Sequence, residues 1–143
     1  MNNHLGRSVK HGILGGLVGG IIFGIIMQMM GQLSMIAGMM GSESLTIGWL
    51  LHLMISLVFG AIFGYVAYSL KSIWFFTLLF GFLIWVIGPL TVMPLMMGMD
   101  INLSNAFSSD QLMSLGTHFM FSVIVAIVYK MGSVKKANSK VAA

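Results

Sequence analysis

The sequence predicts an all-α polytopic membrane protein whose four transmembrane helices are built as two parallel two-helix repeats. Three observations predict it: the composition, four long uncharged apolar runs, and a residue pattern that occurs twice. Of the 143 residues, 58% are hydrophobic and 7% are charged, whereas a soluble domain carries about 25% charged residues. So few charges cannot cover a water-facing surface, and the length fits a single membrane domain, residues 1–143.

Four uncharged runs are each long enough for a membrane-spanning helix, which takes about 20 residues. They cover residues 12–30, 47–68, 73–92 and 111–129. Strands are disfavoured because the runs do not alternate between polar and apolar residues as barrel strands do. The first run is too long for a signal peptide and lacks a small-residue cleavage pattern, so we expect it to be retained.

The charged residues predict the orientation of these spans. Arg7 and Lys10 precede the first span and Lys71 separates the second from the third. The remaining lysines follow the fourth span, and the acids occupy the other two loops: Lys130, Lys135, Lys136 and Lys140; Glu43, Asp100 and Asp110. The positive-inside rule then puts both termini in the cytoplasm, for a protein of the cytoplasmic membrane. The net charge of +4 is explained in this way and does not indicate nucleic-acid binding.

The tail, residues 131–143, is polar, small and basic. We expect it to be disordered or to lie on anionic lipid headgroups.

An internal duplication divides the chain into repeat 1, about residues 12–70, and repeat 2, about residues 71–130. At one offset, residues 21–24 match 78–81, Gly31 matches Gly88, and residues 39–41 match 96–98. At a second offset, His52-x-Met54-x-Ser56 matches His118-x-Met120-x-Ser122. A longer outer loop in repeat 2 accounts for the difference. Two spans per repeat make the repeats parallel, related by a pseudo-twofold axis along the membrane normal, across which the two histidines are predicted to face each other.

The two histidines lie on helix faces made of small residues. Steps of four, which keep to one face of a helix, give these stripes in the second and fourth spans: Gly48, His52, Ser56, Gly60, Gly64; Ser114, His118, Ser122, Ala126. A similar stripe in the first span is Gly12, Gly16, Gly20, Gly24. Helices in lipid pack closely at such faces, so the histidines are expected to point inward. A buried histidine can serve as an interhelical hydrogen-bonding group, worth about 0.6–2 kcal/mol, or as a ligand.

Each repeat has an interrupted segment after its first span. Pro89 and Pro94 are predicted to kink or end the helix, and Gly31 and Gly38 weaken the corresponding segment of repeat 1. Such matched interruptions point to a binding site in repeat-built membrane proteins. They lie close in depth to the two histidines and carry two methionine pairs: Met39 and Met40, Met96 and Met97.

Three ligands fit the histidines. Cu(I) favours thioether and imidazole ligands, here His52, His118 and the two methionine pairs. Haem b fits one histidine from each of two helices, with Ser56 and Ser122 beside them, although close glycine packing leaves little room for the ring. A proton or hydrated solute ranks third because the spans hold no acid.

The run from Trp85 to Gly98, the four glycine-rich spans and the early histidines of the second and fourth spans resemble those of small uncharacterised four-helix membrane proteins of prokaryotes. The resemblance covers about residues 12–130 and implies the fold, without an activity. There is no cysteine and no catalytic motif, so we expect no enzyme activity.

We expect a non-catalytic protein whose outward-facing His/Met site binds or passes a soft metal ion such as Cu(I). The alternatives are a bis-histidine haem b protein and a structural accessory subunit without a ligand. The expected partner is the lipid bilayer, with a homo-oligomer or a larger membrane complex as further candidates.

Overall fold

The computed structural model describes residues 3–101 and 103–141, with the side chains of residues 4–101 and 103–132. The chain is 83% helical, and no strand is found in the described ranges. The helices are α1 (Asn3–Met29), α2 (Gln32–Gly38), α3 (Leu45–Ala67), α4 (Trp74–Ile87), a π-helical segment (Gly88–Val92), α5 (Met93–Met96), a 3₁₀ turn (Leu103–Asn105) and α6 (Ser109–Val141).

Four stretches of helix are long and apolar enough to cross a membrane, as the sequence predicts. They are His4–Met29, Leu45–Ala67, Trp74–Met96 and Ser109–Gly132. The first helix begins well before the apolar run that predicted it, because Arg7 and Lys10 favour helix about as well as apolar residues do. Hydropathy marks only the apolar part of such a helix.

Neighbouring long helices run antiparallel. A Cβ atom on Gly12, near the start of α1, would lie 2.7 Å from the Cα of Gly64, near the end of α3, and Gly24 lies against Trp49 at the other ends of the same helices. Matching contacts for the pairs α1–α6 and α4–α6 are Gly15 with Val125 and Trp85 with Gln111. The four long helices therefore alternate in direction along the chain, up, down, up and down.

This topology separates the charges into two ends of the bundle. The acidic end consists of the last turns of α1 and α4, the first turns of α3 and α6, and the segments between them, with Glu43, Asp100 and Asp110. The basic end carries the opposite turns and holds Arg7, Lys10, Lys71 and Lys130.

Helix α1 is the centre of the packing. It lies against α3 along one face and against α6 along another, and α6 in turn packs on α4. Helices α3 and α4 meet through phenylalanine rings, where the centroid of Phe63 lies 5.2 Å from that of Phe76 and 5.3 Å from that of Phe80. The bundle thus has one continuous core, and a smaller cluster around Trp85, Leu90 and Ala106 lies near the acidic end.

The interrupted segments form where proline and glycine require them. Pro89 has no N–H group to continue the α-helical ladder, and α4 gives way at Gly88 to the π-helical segment. The hydroxyl of Thr91 donates a hydrogen bond to the Val86 carbonyl across this irregularity (2.8 Å). In the first half of the chain Gly31 has a left-handed backbone (φ 71°) that turns the chain from α1 into α2.

The backbone of the tail continues α6 as far as Val141. Its side chains beyond Gly132, and residues 142–143 altogether, lie outside the described residues. The disorder or headgroup contact expected for the tail stays a prediction.

Candidate functional site

His52 connects two helices. Its side chain is 5% exposed, and its Nε2–H group donates a hydrogen bond to the Gly20 carbonyl of α1 (2.8 Å). The absence of a side chain at Gly20 brings the two helices close, since a Cβ atom there would lie 2.7 Å from the Cβ of Ser56. In the neutral ring the proton on Nε2 leaves Nδ1 as the nitrogen with a lone pair.

His118 is half-buried and bonds within its own helix. Its Nδ1–H group donates to the Ser114 carbonyl, one turn earlier in α6 (2.7 Å). Here Nε2 is the nitrogen that keeps a lone pair. The two matching histidines therefore use opposite ring nitrogens, and the hydrogen bond of His52 joins two helices whereas that of His118 stays within α6.

Phe23 of α1 contacts both imidazole rings. Its ring centroid lies 5.4 Å from that of His52 and 5.2 Å from that of His118, both edge-on. The shared neighbour brings the two histidines to the same depth of the bundle and turns both inward. Within the described part of the chain they make no ring contact or hydrogen bond with each other, so Phe23 is the group that connects them.

Ser56 and Ser122 are buried beside the histidines. The Ser56 hydroxyl donates to the His52 carbonyl (2.8 Å) and the Ser122 hydroxyl to the Phe119 carbonyl (2.9 Å). Both hydroxyls therefore donate their hydrogen bonds to carbonyl groups of the helix to which they belong. Each serine also packs against a glycine of the preceding span, Ser56 against Gly20 and Ser122 against Gly81.

The two methionine pairs lie near the acidic end, and most of them face outward. Met39 is half-buried and packs on the main core. Met40, Met96 and Met97 are exposed. The structure therefore brings His52 and His118 together around Phe23 and holds the methionine pairs at the end of the bundle above them.

Each methionine pair precedes a glycine with a left-handed backbone, Gly41 (φ 66°) and Gly98 (φ 73°). The hydrogen bonds around the two glycines correspond one to one. The N–H groups of Ser42 and Met99, one residue after each glycine, donate to the carbonyls of Ala37 and Pro94. The glycine N–H groups donate to the carbonyls of Gly38 and Leu95. Both segments thus end in the same helix cap, a Schellman motif.

Sequence reasoning missed one feature, the uneven distribution of methionine. Among the methionines that the structure describes, all except Met131 lie at the middle of the bundle or nearer its acidic end. Those exposed in the segments that form this end are Met29, Met30, Met35, Met40, Met96, Met97, Met99 and Met113. The signal was available in the sequence, because the four predicted spans alternate in direction and the methionines follow that alternation.

The donor atoms near the acidic end are mostly thioether sulfurs. Among residues 4–101 and 103–132, no three His, Asp or Glu side chains form a group that could hold a metal ion. Thioether sulfur is abundant at the acidic end, and thioether ligands suit Cu(I). A haem ring has little space here, because the glycine faces hold α1 against α3 and α6 with backbone atoms in contact.

Comparisons with protein families, with curated proteins and with solved structures find no match.

We expect His52→Leu to destabilise the bundle by about 0.6–2 kcal/mol, the worth of a hydrogen bond between membrane helices. His118→Leu removes a bond within one helix and should cost less. Thermal unfolding of the purified variants in detergent measures both. Equal losses for the two variants would contradict the interhelical role of His52.

Proposed function

We propose that this chain is a non-catalytic integral membrane protein of the cytoplasmic membrane, with both termini cytoplasmic, that binds or passes a soft metal ion such as Cu(I) at its methionine-rich end. The proposal includes that the four long helices span the membrane and that they form two parallel repeats. The separation of basic and acidic residues to opposite ends supports the orientation, because cationic loops stay on the cytoplasmic side.

The matching helix caps support the duplication. Each methionine pair is followed by a left-handed glycine and the same two hydrogen bonds at corresponding places, a helix end that is common in proteins and that agrees here with the matched residues of the two repeats. The packing around the proposed axis is uneven, since α1 contacts α6 closely while α3 and α4 meet mainly through side chains. We infer that the two copies have diverged in their contacts while keeping their local turns.

The concentration of methionine at the acidic end, which the proposed orientation puts outside the cell, is the observation that supports a soft-metal site. Methionine is a flexible apolar residue that can fill gaps at either end of a bundle, so packing alone gives no reason for its concentration at one end. Among the described residues, the half of the bundle nearer the basic end has other apolar residues in place of methionine, except at Met131. Exposed thioethers at Met40, Met96 and Met97 would capture Cu(I) from outside, and His52 and His118 would offer imidazole nitrogen below them.

The test is Cu(I) binding by purified protein under reducing conditions, measured by competition with a chromogenic chelator. We expect wild-type protein to bind Cu(I), and the His52→Ala/His118→Ala variant to bind it at least about tenfold more weakly, the smallest loss typical when metal sites lose a supporting group. His118→Ala alone retains the hydrogen bond between α1 and α3 and separates ligand loss from unfolding. Equal binding by all three proteins would overturn the histidine part of the proposal, and no binding by wild type would overturn all of it.

A structural accessory subunit without a ligand is the second candidate, favoured by the hydrogen bond from His52 to Gly20. In that case the histidine variants lose stability or assembly while Cu(I) binding is absent throughout. The haem b alternative is tested in the same preparation, since protein from haem-replete cells would show a Soret band that either histidine variant removes. The close backbone contacts of α1 argue against it.

A further inference from the structure

A groove lies between α1 and α6 near the basic end, far from the histidines and the methionine pairs. It encloses about 230 Å³ and is lined by His11, Leu14, Val128, Met131 and Gly132. Leu14 and Met131 are each more than half exposed, so the groove opens sideways. Its volume is below the about 300–1,000 Å³ of pockets that surround a whole small molecule. The groove therefore suits a flexible apolar chain that enters from the side.

The floor of the groove depends on a glycine. The ring of His11 lies over Gly132, where a Cβ atom would come within 2.6 Å of the ring. This contact brings α1 and α6 together below the groove and leaves Leu14 and Val128 as its apolar walls. The imidazole itself is half-buried.

Two cations lie on α1 one turn before the groove residues His11 and Leu14, toward the basic end. Arg7 precedes His11 by one turn and Lys10 precedes Leu14 by one turn, and residues four apart share a helix face. Arg7 also bonds to the His4 ring (3.2 Å), and Lys10 is exposed. Asp and Glu total three in this chain, and all of them lie at the acidic end.

We propose that this groove binds one anionic phospholipid, with an acyl chain against Leu14 and Val128 and the headgroup phosphate at Arg7 and Lys10. The apolar walls and the two cations one turn away match the two chemical parts of such a lipid, and basic pockets between spans on the cytoplasmic side are suited to anionic headgroups. The inference rests on the membrane insertion in the proposed function. It is independent of the metal site, which lies at the other end.

The experiment is native mass spectrometry of the full chain released from detergent, after titration with phosphatidylglycerol, with phosphatidylcholine, or with inorganic phosphate. We expect one phosphatidylglycerol per chain, weaker retention of phosphatidylcholine, and no retention of phosphate alone. Each cation near a membrane surface is worth about fivefold in binding, so Arg7→Gln/Lys10→Gln should weaken phosphatidylglycerol binding about 25-fold.

Lys71→Gln is the matched control, because it removes a cation from the same end of the bundle but away from the groove. It should bind phosphatidylglycerol as wild type does. Leu14→Trp fills the groove while keeping every charge, and it should also release the lipid. Equal retention of the two lipids, or equal losses for Lys71→Gln and Arg7→Gln/Lys10→Gln, would overturn the proposal.

Failure of this proposal is distinguishable from failure of the proposed function. Resistance of the chain to alkaline extraction from membranes reports insertion, and Cu(I) competition reports the metal site. An inserted, Cu(I)-binding protein that does not select phosphatidylglycerol would refute the lipid site alone.

Discussion

Gly60→Ala is expected to destabilise the bundle by about 1–3 kcal/mol, and Gly60→Leu by more, because both overfill a packed interface. The backbones of α1 and α3 touch at this point. A Cβ atom on Gly60 would meet the Gly12 carbonyl oxygen and lie 2.8 Å from the Cα of Gly16. These are backbone atoms of a helix and cannot turn aside as a side chain can, so α1 and α3 must separate.

The same interface continues in both directions along the two helices. Gly16 faces the Ser56 carbonyl and Gly64 faces the Ser8 carbonyl. Pushing the helices apart at Gly60 would therefore loosen several contacts together, including the hydrogen bond from the Ser8 hydroxyl to the Gly64 carbonyl (2.7 Å). Membrane helices that associate through small residues depend on this close approach.

Gly116→Ala is the matched control for the glycine prediction. Gly116 also lies within a helix, α6, but a Cβ atom there would have no neighbour within 4 Å. Because alanine favours helix over glycine by about 1 kcal/mol, this variant should be as stable as wild type or more so. Thermal unfolding in detergent compares the variants, and a Gly60→Ala protein as stable as Gly116→Ala would refute the close packing of α1 on α3.

Replacing Met39, Met40, Met96 and Met97 together by leucine is expected to weaken Cu(I) binding at least about tenfold, a loss that metal sites suffer even when only a supporting group is removed. Leucine keeps the volume and the apolar character of methionine, and such exchanges usually cost less than about 1.5 kcal/mol each. The change therefore removes sulfur and leaves the fold in place. Competition with the chromogenic chelator measures the affinity.

Met131→Leu is the control for the methionine prediction, since Met131 lies at the basic end, away from both histidines. Its Cu(I) affinity should equal that of wild type. If the variant with all four methionines replaced binds Cu(I) as tightly as Met131→Leu does, the methionine pairs are not ligands. Phosphatidylglycerol binding by the variant with all four methionines replaced should be unchanged, which provides an internal measure that the protein remains folded.

Much of the fold could be predicted from the sequence because it depends on composition and on the spacing of apolar and small residues along the chain. Four apolar runs without charge predicted four long helices, and the small-residue stripes predicted that His52 and His118 would turn away from the surface. The prolines predicted an irregular helix at Gly88.

The partners of the histidines could not be predicted. Two copies of one sequence pattern, His-x-Met-x-Ser, gave one bond between helices at His52 and one bond within a helix at His118. The difference arises because α1 presents the carbonyl of Gly20 to His52, whereas the Nδ1–H group of His118 donates to Ser114 of its own helix. Phe23 contacts both rings alike. Which helix face stands opposite a residue is decided by packing over long sequence separations, and local patterns do not contain it.

The sequence by itself determined the all-α class, the number of long apolar helices and the segregation of charge along the chain, because hydropathy and charge act residue by residue. Only the tertiary structure decided that α1 is central, that Phe23 contacts both histidines, and that a groove opens between α1 and α6 at the basic end. These depend on contacts between segments far apart in the chain, where the closeness that each glycine allows selects one arrangement from many with the same pattern.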